Sequence, residues 1–473
     1  MSRRAGGRPF DRSIVEGPVP LAVWMLAWPT MLQNVIAGMQ GVVGHAMVGN
    51  YVGYAGNAAI GVSSQIYLVV ITFVSSLFTG MGILVARFAG AGDREKVNRT
   101  VYQAFLTAAA LSIGIVAPLG YFLAPSLLGL VRATAEVQQE ALPYLRILFV
   151  FSFGTMMFFM AGGAFRAAGD ARTPLRLGVA LTLLNITFSV ILIRGLGPIP
   201  SFGTAGAAMG SVISGVIVSG YVLWLLLSHR TVVSFERGMS LAPDWAIIRQ
   251  LFRFGLPAGI QGVVMNLGGV LLLRFIGSLA LSAEAQAAYA VGYVQLFSLI
   301  TWTSLGLMGA TGAVVGQNLG AGHPERAVKG VRVAARIGLG VAIAVGAMFL
   351  LVPEALLSIF GMEDPRVAGL GVQLLAFLSV SGLFVTVALT YTGGLQGSGD
   401  TRSPLFISII SQVVIPLGLL AILQQLRGLE PTDVWTAILL GHAARCILSV
   451  ARYRQGKWRD IRVDIGPSPA PRR

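Results

Sequence analysis

The sequence predicts an all-α polytopic membrane protein, with twelve transmembrane helices in two six-helix bundles related by a pseudo-two-fold axis along the membrane normal. Three observations carry this: an apolar, charge-poor composition, apolar stretches of bilayer length along the whole chain, and a repeat at constant offset. Of 473 residues, 55% are hydrophobic and 11% charged, with a mean hydropathy of +0.77. A soluble domain carries about 25% charged residues, so the charge deficit points to a protein surrounded mostly by lipid. A helix needs about 20 apolar residues to cross ~30 Å of hydrocarbon. Without water there, only helices and closed barrels satisfy their backbone groups. Period-two alternation is absent, which leaves helices.

Hydropathy and turn residues place spans at 19–46, 58–86, 101–123, 142–165, 174–195, 205–228, 254–276, 285–316, 333–352, 368–394, 404–424 and 433–451. Several exceed twenty residues, so tilt or interfacial extension is expected. Pro29, Pro118, Pro143, Pro257 and Pro416 fall within or near spans, where neighbouring helices must satisfy the freed carbonyls. Residues 1–18 contain Arg3, Arg4, Arg8 and Arg12 but no apolar core of their own. They read as an uncleaved basic tail rather than a signal peptide. The expected order is a basic cytoplasmic tail (1–18), an N-terminal six-helix lobe (19–228), a cytoplasmic linker (229–247), a C-terminal six-helix lobe (248–452) and a second basic cytoplasmic tail (453–473).

The basic residues set the orientation. Numbering the loops alternately, 28 Lys and Arg fall on the side of the N-terminal tail. Six fall opposite: Arg132, Arg146, Arg194, Arg274, Arg366 and Arg427. An error of one span would mix the two sets, so both termini are expected to be cytoplasmic in a cell (inner or plasma) membrane. The net charge of +15 sits in short loops and tails, not in a basic stripe interleaved with aromatics, so no nucleic-acid partner is implied. Cys446 is the single cysteine, which excludes an internal disulfide and a thiolate metal cluster. No Walker loop appears, so ATP is not the direct energy source. Nor does the sequence contain a nucleophile–base pair, so neither an enzyme, a metal nor a cofactor is expected. All nineteen acidic residues lie in loops, tails or span ends.

Gly169-Asp170-Ala171-Arg172-Thr173-Pro174-Leu175 returns as Gly399-Asp400-Thr401-Arg402-Ser403-Pro404-Leu405, an offset of 230. At the same offset Gly90-Ala91-Gly92 matches Gly320-Ala321-Gly322, Glu95 matches Glu325 and Gly163 matches Gly393; Pro29 and Pro257 pair at 228. Two six-span halves enter the membrane from the same side, which is why the relating axis is expected along the membrane normal. The Gly-Ala-Gly turns, through Gly90, Gly92, Gly320 and Gly322, read as helix ends. Asp170 and Asp400, followed by Pro174 and Pro404, read as caps of spans five and eleven. The Gly-x-Gly-Asp strings at 90–93 and 397–400 have the pattern of intramembrane aspartyl proteases. That chemistry needs two aspartates together at membrane depth, and Asp93, Asp170 and Asp400 lie at helix ends.

These segments, with Gly90-Ala91-Gly92-Asp93 after span two and Gly316-Gln317-Asn318-Leu319-Gly320-Ala321-Gly322 after span eight, resemble the multidrug and toxic compound extrusion (MATE) family over roughly residues 19–450. The resemblance implies two six-helix bundles flanking a central cleft. It implies a secondary active efflux transporter, an antiporter exporting amphipathic or cationic small molecules by alternating access against an inward proton or sodium flow. Its partners would be a small-molecule substrate and the lipid bilayer, with no obligate protein partner. A flippase for a lipid-linked precursor is the alternative, because related folds perform that task. It would favour cations inside the cleft, where only Arg146 and Arg274 are candidates, both toward outer span ends.

The resemblance also locates departures. Many members carry an aspartate in span one where this chain has Gly44, within Val43-Gly44-His45-Ala46. In span five the family often has an asparagine followed four residues later by an aspartate; here Asn185 is followed by Ser189. Another branch has a glutamate eight residues after the span-seven proline and an aspartate in span ten, where this chain has Met265 and approximately Val385. His45 is the candidate substitute for proton coupling, since imidazole titrates near neutral pH. The other reading is a histidine near the outer end of span one, hydrogen-bonded to a loop carbonyl. His442 is the weaker candidate, because Arg445 puts a positive charge one turn away. The intraspan amides Gln33, Asn34, Gln40, Gln65, Asn185, Gln261, Asn266 and Gln412 are candidates for lining the cleft or for joining helices. The run Met156-Met157-Phe158-Phe159-Met160 suits varied apolar ligands, but on a helix it points all round, so packing or lipid contact accounts for most of it.

Overall fold

Apolar helices as long as a bilayer is thick dominate the computed structural model, which describes residues 9–74, 76–131, 134–236, 239, 242–362 and 364–465. The basic residues of 1–8 and 466–473, with Arg132 and Arg237, lie outside the described residues. Among the described residues eleven helices are long and apolar enough to span: Val19–Tyr51, Ala55–Gly90, Arg94–Leu130, Arg172–Arg194, Gly203–Leu227, Trp245–Gly277, Ser282–Gly320, Pro324–Leu351, Pro365–Ser398, Arg402–Leu426 and Pro431–Arg454. A twelfth, fourth in chain order, is the pair Ala135–Val150 and Ser152–Ala167, bent by 52°. With that pair the helices supply the twelve predicted spans, and they are numbered here in chain order. Side chains such as Phe122, Leu351 and Leu426 project almost fully exposed from them. In water so much bare apolar surface would drive association; in a bilayer it is the lipid-facing wall. The chain is a multi-pass membrane protein.

The break in span four falls at Phe151, eight residues beyond Pro143, which sits inside an unbroken helix. Packing accounts for it better than propensity. Ser152 Oγ lies 2.8 Å from Ser112 Oγ of span three. A Cβ at Gly154 would stand 3.1 Å from the backbone of Gly215 and Val216 in span six. The Met-Phe run at 156–160 begins just beyond the bend, and all of it is buried except Phe159.

The chain divides into two compact units. One comprises residues 9–12, Val35–Gly259 and 463–465; the other comprises Ser13–Asn34 and Ile260–Arg462. Spans one and seven each contribute to both, with the seam a few residues beyond Pro29 and Pro257. In the first unit the start of span seven meets span two so closely that a Cβ at Gly80 would lie 2.2 Å from Leu251 O, and one at Gly255 2.2 Å from Ser76 O. In the second unit the start of span one meets span eight at Gly306, where a Cβ would lie 2.6 Å from Met31 Cα. The 230-residue offset persists in packing within each unit: Gly163 faces Phe78, and its repeat mate Gly393 faces Met308.

The described residues of the 229–247 segment are held to span three. Asn98 bonds Ser234 in both directions, Gln103 Nε2 donates to Ala242 O, and Arg99 pairs with Asp244. Phe235 packs edge-on against Tyr102 and Phe105.

Backbone-to-backbone packing gives a direct test in the second unit. A Cβ at Gly397 would meet Gly312 O at 2.2 Å and Gly312 Cα at 2.6 Å, whereas Gly340 has nothing within 4 Å. Gly397→Ala is expected to cost about 1–3 kcal/mol by overpacking. Gly340→Ala should be neutral or stabilising by up to about 1 kcal/mol. Thermal unfolding in detergent reads both, and an unshifted midpoint for Gly397→Ala would contradict the close approach.

Candidate functional site

The first unit holds His45 near the end of span one. Its Nδ1 lies 2.6 Å from Oδ1 of Asn57, in the first turn of the following span. The partner is therefore a side-chain amide on a helix and not a loop carbonyl. With Oδ1 as acceptor, Nδ1 carries the proton and Nε2 is the ring's remaining acceptor. A Cβ at Gly44, the position the family resemblance marks as acidic, would meet nothing within 4 Å.

The eight amides divide between the units. In the first, Gln40 Oε1 accepts from Thr182 Oγ1 at 3.0 Å, and Asn185 Nδ2 donates to Ser211 Oγ at 2.7 Å. Thr182 and Asn185 are one helical turn apart on span five, so one stripe of that helix faces span one and span six with polar groups. Gln65 is exposed. In the second unit Gln261 is buried. Its Nε2 donates to Ser408 Oγ at 2.8 Å while its Oε1 accepts from Gln396 at 3.2 Å, tying spans seven, ten and eleven together. Asn266 donates to Gly262 O in its own helix. Gln33 and Asn34 are half-buried near the seam of span one. Gln412 is half-buried in a widened turn of span eleven, and its Nε2 has no hydrogen-bond partner. Sequence reading missed the partners Asn57, Thr182, Ser211, Gln396 and Ser408. Small polar residues inside apolar spans were the available signal, but nothing in the sequence says which of them meet.

The glycine motifs form four turns of one kind. Helices end at Gly90, Ala167, Gly320 and Ser398, and Gly92, Gly169, Gly322 and Gly399 follow with φ of 76°, 101°, 78° and 102°. These are left-handed conformations that only glycine adopts without strain. At each turn the next N–H reaches back over the last helical turn: Asp93 to Phe88, Asp170 to Phe165, His323 to Asn318 and Asp400 to Leu395. This satisfies carbonyls that the helix end leaves open. Three of the four add a carboxylate at the start of the next helix. Asp93 accepts from Lys96 N, and Asp170 accepts from Arg172 N, Thr173 N and Thr173 Oγ1. Asp400 accepts from Ser403 N and Ser403 Oγ and is also clamped by Arg452 through two bonds of 2.9–3.0 Å. Pro174 and Pro404 are buried in the first turns of spans five and eleven.

With this geometry in place, comparison with known proteins is informative. The MatE family model matches the chain twice, over residues 29–191 and 257–420, once in each repeat. A probable multidrug resistance protein NorM of Thermotoga maritima is 26% identical over 438 residues, spanning 92% of both chains. One from Deinococcus radiodurans is 29% identical over 450 residues, spanning 91% of this chain and 94% of its own. Among solved structures, a MOP superfamily transporter from Pyrococcus furiosus superposes with a TM-score of 0.86 at 22% identity, covering 98% of this chain and all of the other. An outward-facing multidrug resistance MATE family transporter of the same superfamily gives 0.85 at 22% identity, covering 96% and 98%. At that identity the likeness is one of fold.

The twin turns at Asp170 and Asp400 differ by one ion pair, and stability should register it. Asp170→Ala removes capping bonds and is expected to cost about 0.5–2 kcal/mol. Asp400→Ala also leaves Arg452 without its carboxylate, and the loss should exceed that of its twin by about 1 kcal/mol or more. Unfolding midpoints of the two variants and of Arg452→Gln measure this; equal losses at Asp170 and Asp400 would show that the pair contributes nothing.

Proposed function

We propose, from the premise that this chain belongs to the MatE family of transporters, that it is a secondary active antiporter. In this reading it exports amphipathic or cationic small molecules by alternating access, with both termini on the cytoplasmic side. The observation that carries the reading is the match of the family model to both halves of the chain. The relatives' naming as multidrug resistance proteins supports the substrate class.

Among the inward ions, the proton is favoured over sodium. Sodium binds through hard oxygen ligands, usually carboxylates, and no acidic residue lies near the middle of an apolar span. His45 supplies a titratable group that needs no second acid. Its Nδ1–H stays donated to Asn57 in both protonation states, so Nε2 is the atom that gains and loses the proton. Approach of a cationic substrate favours the neutral ring by like-charge repulsion, which is the coupling an antiporter needs. Gln40, Asn185, Gln261 and Asn266 are engaged within their own units. Gln65, exposed in the first unit, and Asn34, half-buried in the second, remain candidates for contact with substrate, each within its own unit.

Two measurements test the reading. In sealed proteoliposomes, movement of a fluorescent organic cation should follow an imposed pH gradient and ignore a sodium gradient. His45→Gln should reduce the proton-driven component at least about tenfold, given the usual 10²–10⁴ contribution of a positioned proton-transfer group, while leaving dye binding intact. Wild-type proton dependence in that variant would exclude His45; gradient-driven movement of no cation at all would exclude the transport reading. The open space beside Gly44 makes Gly44→Asp the reconstruction of choice in the His45→Gln background. For orientation, single cysteines at the exposed positions Pro198 and Gln455, introduced with Cys446→Ser, should label from opposite sides of intact cells. Labelling from one side would overturn the cytoplasmic placement.

A further inference from the structure

The interior of the second unit contains a cation that no acid among the described residues neutralises. Arg445 stands in span twelve, 3% exposed, and its Nε has no hydrogen-bond partner. Among the described residues the ion pairs of this unit join Arg427 to Asp433 and Glu430, Arg452 to Asp400 and Arg459 to Glu325; none reaches Arg445. The nearest acid along span twelve is Asp433, twelve residues and roughly 18 Å of helix away, and it is already held by Arg427. A buried charge without a partner is among the costliest features a membrane helix can carry.

The surroundings offer donors where a carboxylate would be expected. One turn before Arg445 on the same face is His442, also 3% exposed, with Nδ1 unpartnered. Its ring stacks on Phe297 at 5.7 Å and on Tyr293 at 6.3 Å. Tyr293 in turn lies within electrostatic reach of Arg445. From the facing helix, the widened turn Ile410–Val414 presents Ser411, whose Oγ is fully buried and unpartnered, and Gln412, whose Nε2 is buried and unpartnered. The two helices touch there. A Cβ at Gly441, the residue before His442, would lie 2.6 Å from Ser411 O and 3.6 Å from Gln412 Nε2.

Arg445 Nε, Gln412 Nε2 and Ser411 Oγ are each buried without a hydrogen-bond partner on two touching helices, and an anion would complete donors of this kind. One fixed positive charge calls for a monovalent anion, and the close contact of the helices calls for a small one. We propose that spans eleven and twelve of the second unit bind a halide-class anion, with chloride the physiological occupant. Arg445 supplies the charge, and Gln412 Nε2 and Ser411 Oγ donate to the ion. The site is independent of which cation drives transport, so it stands or falls apart from the reading of His45.

The test uses the full-length protein in detergent at constant ionic strength and pH, exchanging gluconate for chloride. Chloride and bromide should raise the unfolding midpoint saturably in the wild type. In Arg445→Met that increment should vanish. In Gln412→Leu, which keeps the charge but loses one donor, the half-saturating chloride concentration should rise about tenfold, as loss of one hydrogen bond to a charged group predicts. Gln412→Leu also keeps the proposal falsifiable should Arg445→Met fail to fold. A bromide-soaked crystal should show anomalous density beside the Arg445 guanidinium. Equal stabilisation by chloride and gluconate in the wild type would overturn the proposal. So would a chloride increment retained in Arg445→Met, or an unchanged chloride dependence in Gln412→Leu.

Discussion

A backbone carbonyl released inside hydrocarbon has no water to turn to, and departures from regular helix in this chain show how that constraint is met. Proline removes an N–H and pushes away the carbonyl four residues before it. In spans three and eleven the turn ahead of the proline is widened. Ser112–Val116 precedes Pro118 and Ile410–Val414 precedes Pro416, and each closes with a bond back across five residues, from Ala117 N to Ser112 O and from Ile415 N to Ile410 O. The wider turn gives the displaced carbonyl room without leaving the bond pattern open. In span one, beside Pro29, the Thr30 hydroxyl adds a bond to Leu26 O, the carbonyl next to that of Met25. The same device that keeps span eleven intact presents Ser411 and Gln412 to span twelve, so a local backbone solution creates polar chemistry in an otherwise apolar unit.

The glycine turns solve the matching problem at helix ends. Four long helices must each stop and hand over to the next within three residues, with the last carbonyls satisfied. A left-handed glycine followed by a backward-reaching N–H does this four times, at positions paired by the 230-residue offset. Duplication therefore conserved a way of ending helices. It did not conserve the electrostatics attached to each end, since only Asp400 acquired an arginine clamp and the turn at Gly322 has a histidine and a proline where its mate has Asp93.

Much of this was legible in the sequence. Hydropathy located the eleven long apolar helices and the bent pair, and glycine spacing located the turns, because each is a local property of a short segment. The break at Phe151 was not legible, since it follows from contacts of Ser152 and Gly154 with spans three and six and no proline marks it. The division of spans one and seven between two units is likewise a matter of which helices they meet. The amides show the limit most clearly. Gln261 and Asn266 occupy similar places after Pro257, yet one joins three spans and the other bonds its own helix. Residue type announced that polar groups lay within the membrane; only packing decides which are consumed.

The two repeats have arrived at different chemistry from similar folds. The first places an imidazole against an amide, His45 Nδ1 beside Asn57 Oδ1. The second places a guanidinium among donors, and arginine does not give up its proton under physiological conditions. A permanently charged group cannot exchange a proton through a transport cycle; it can only be paired or left unpaired. Arg445 therefore cannot carry an exchanged proton, and among the described residues no acid is paired with it. One intramembrane acid could both hold a proton and balance a charge; with none near the middle of a span, the reading proposed above assigns those tasks to different groups.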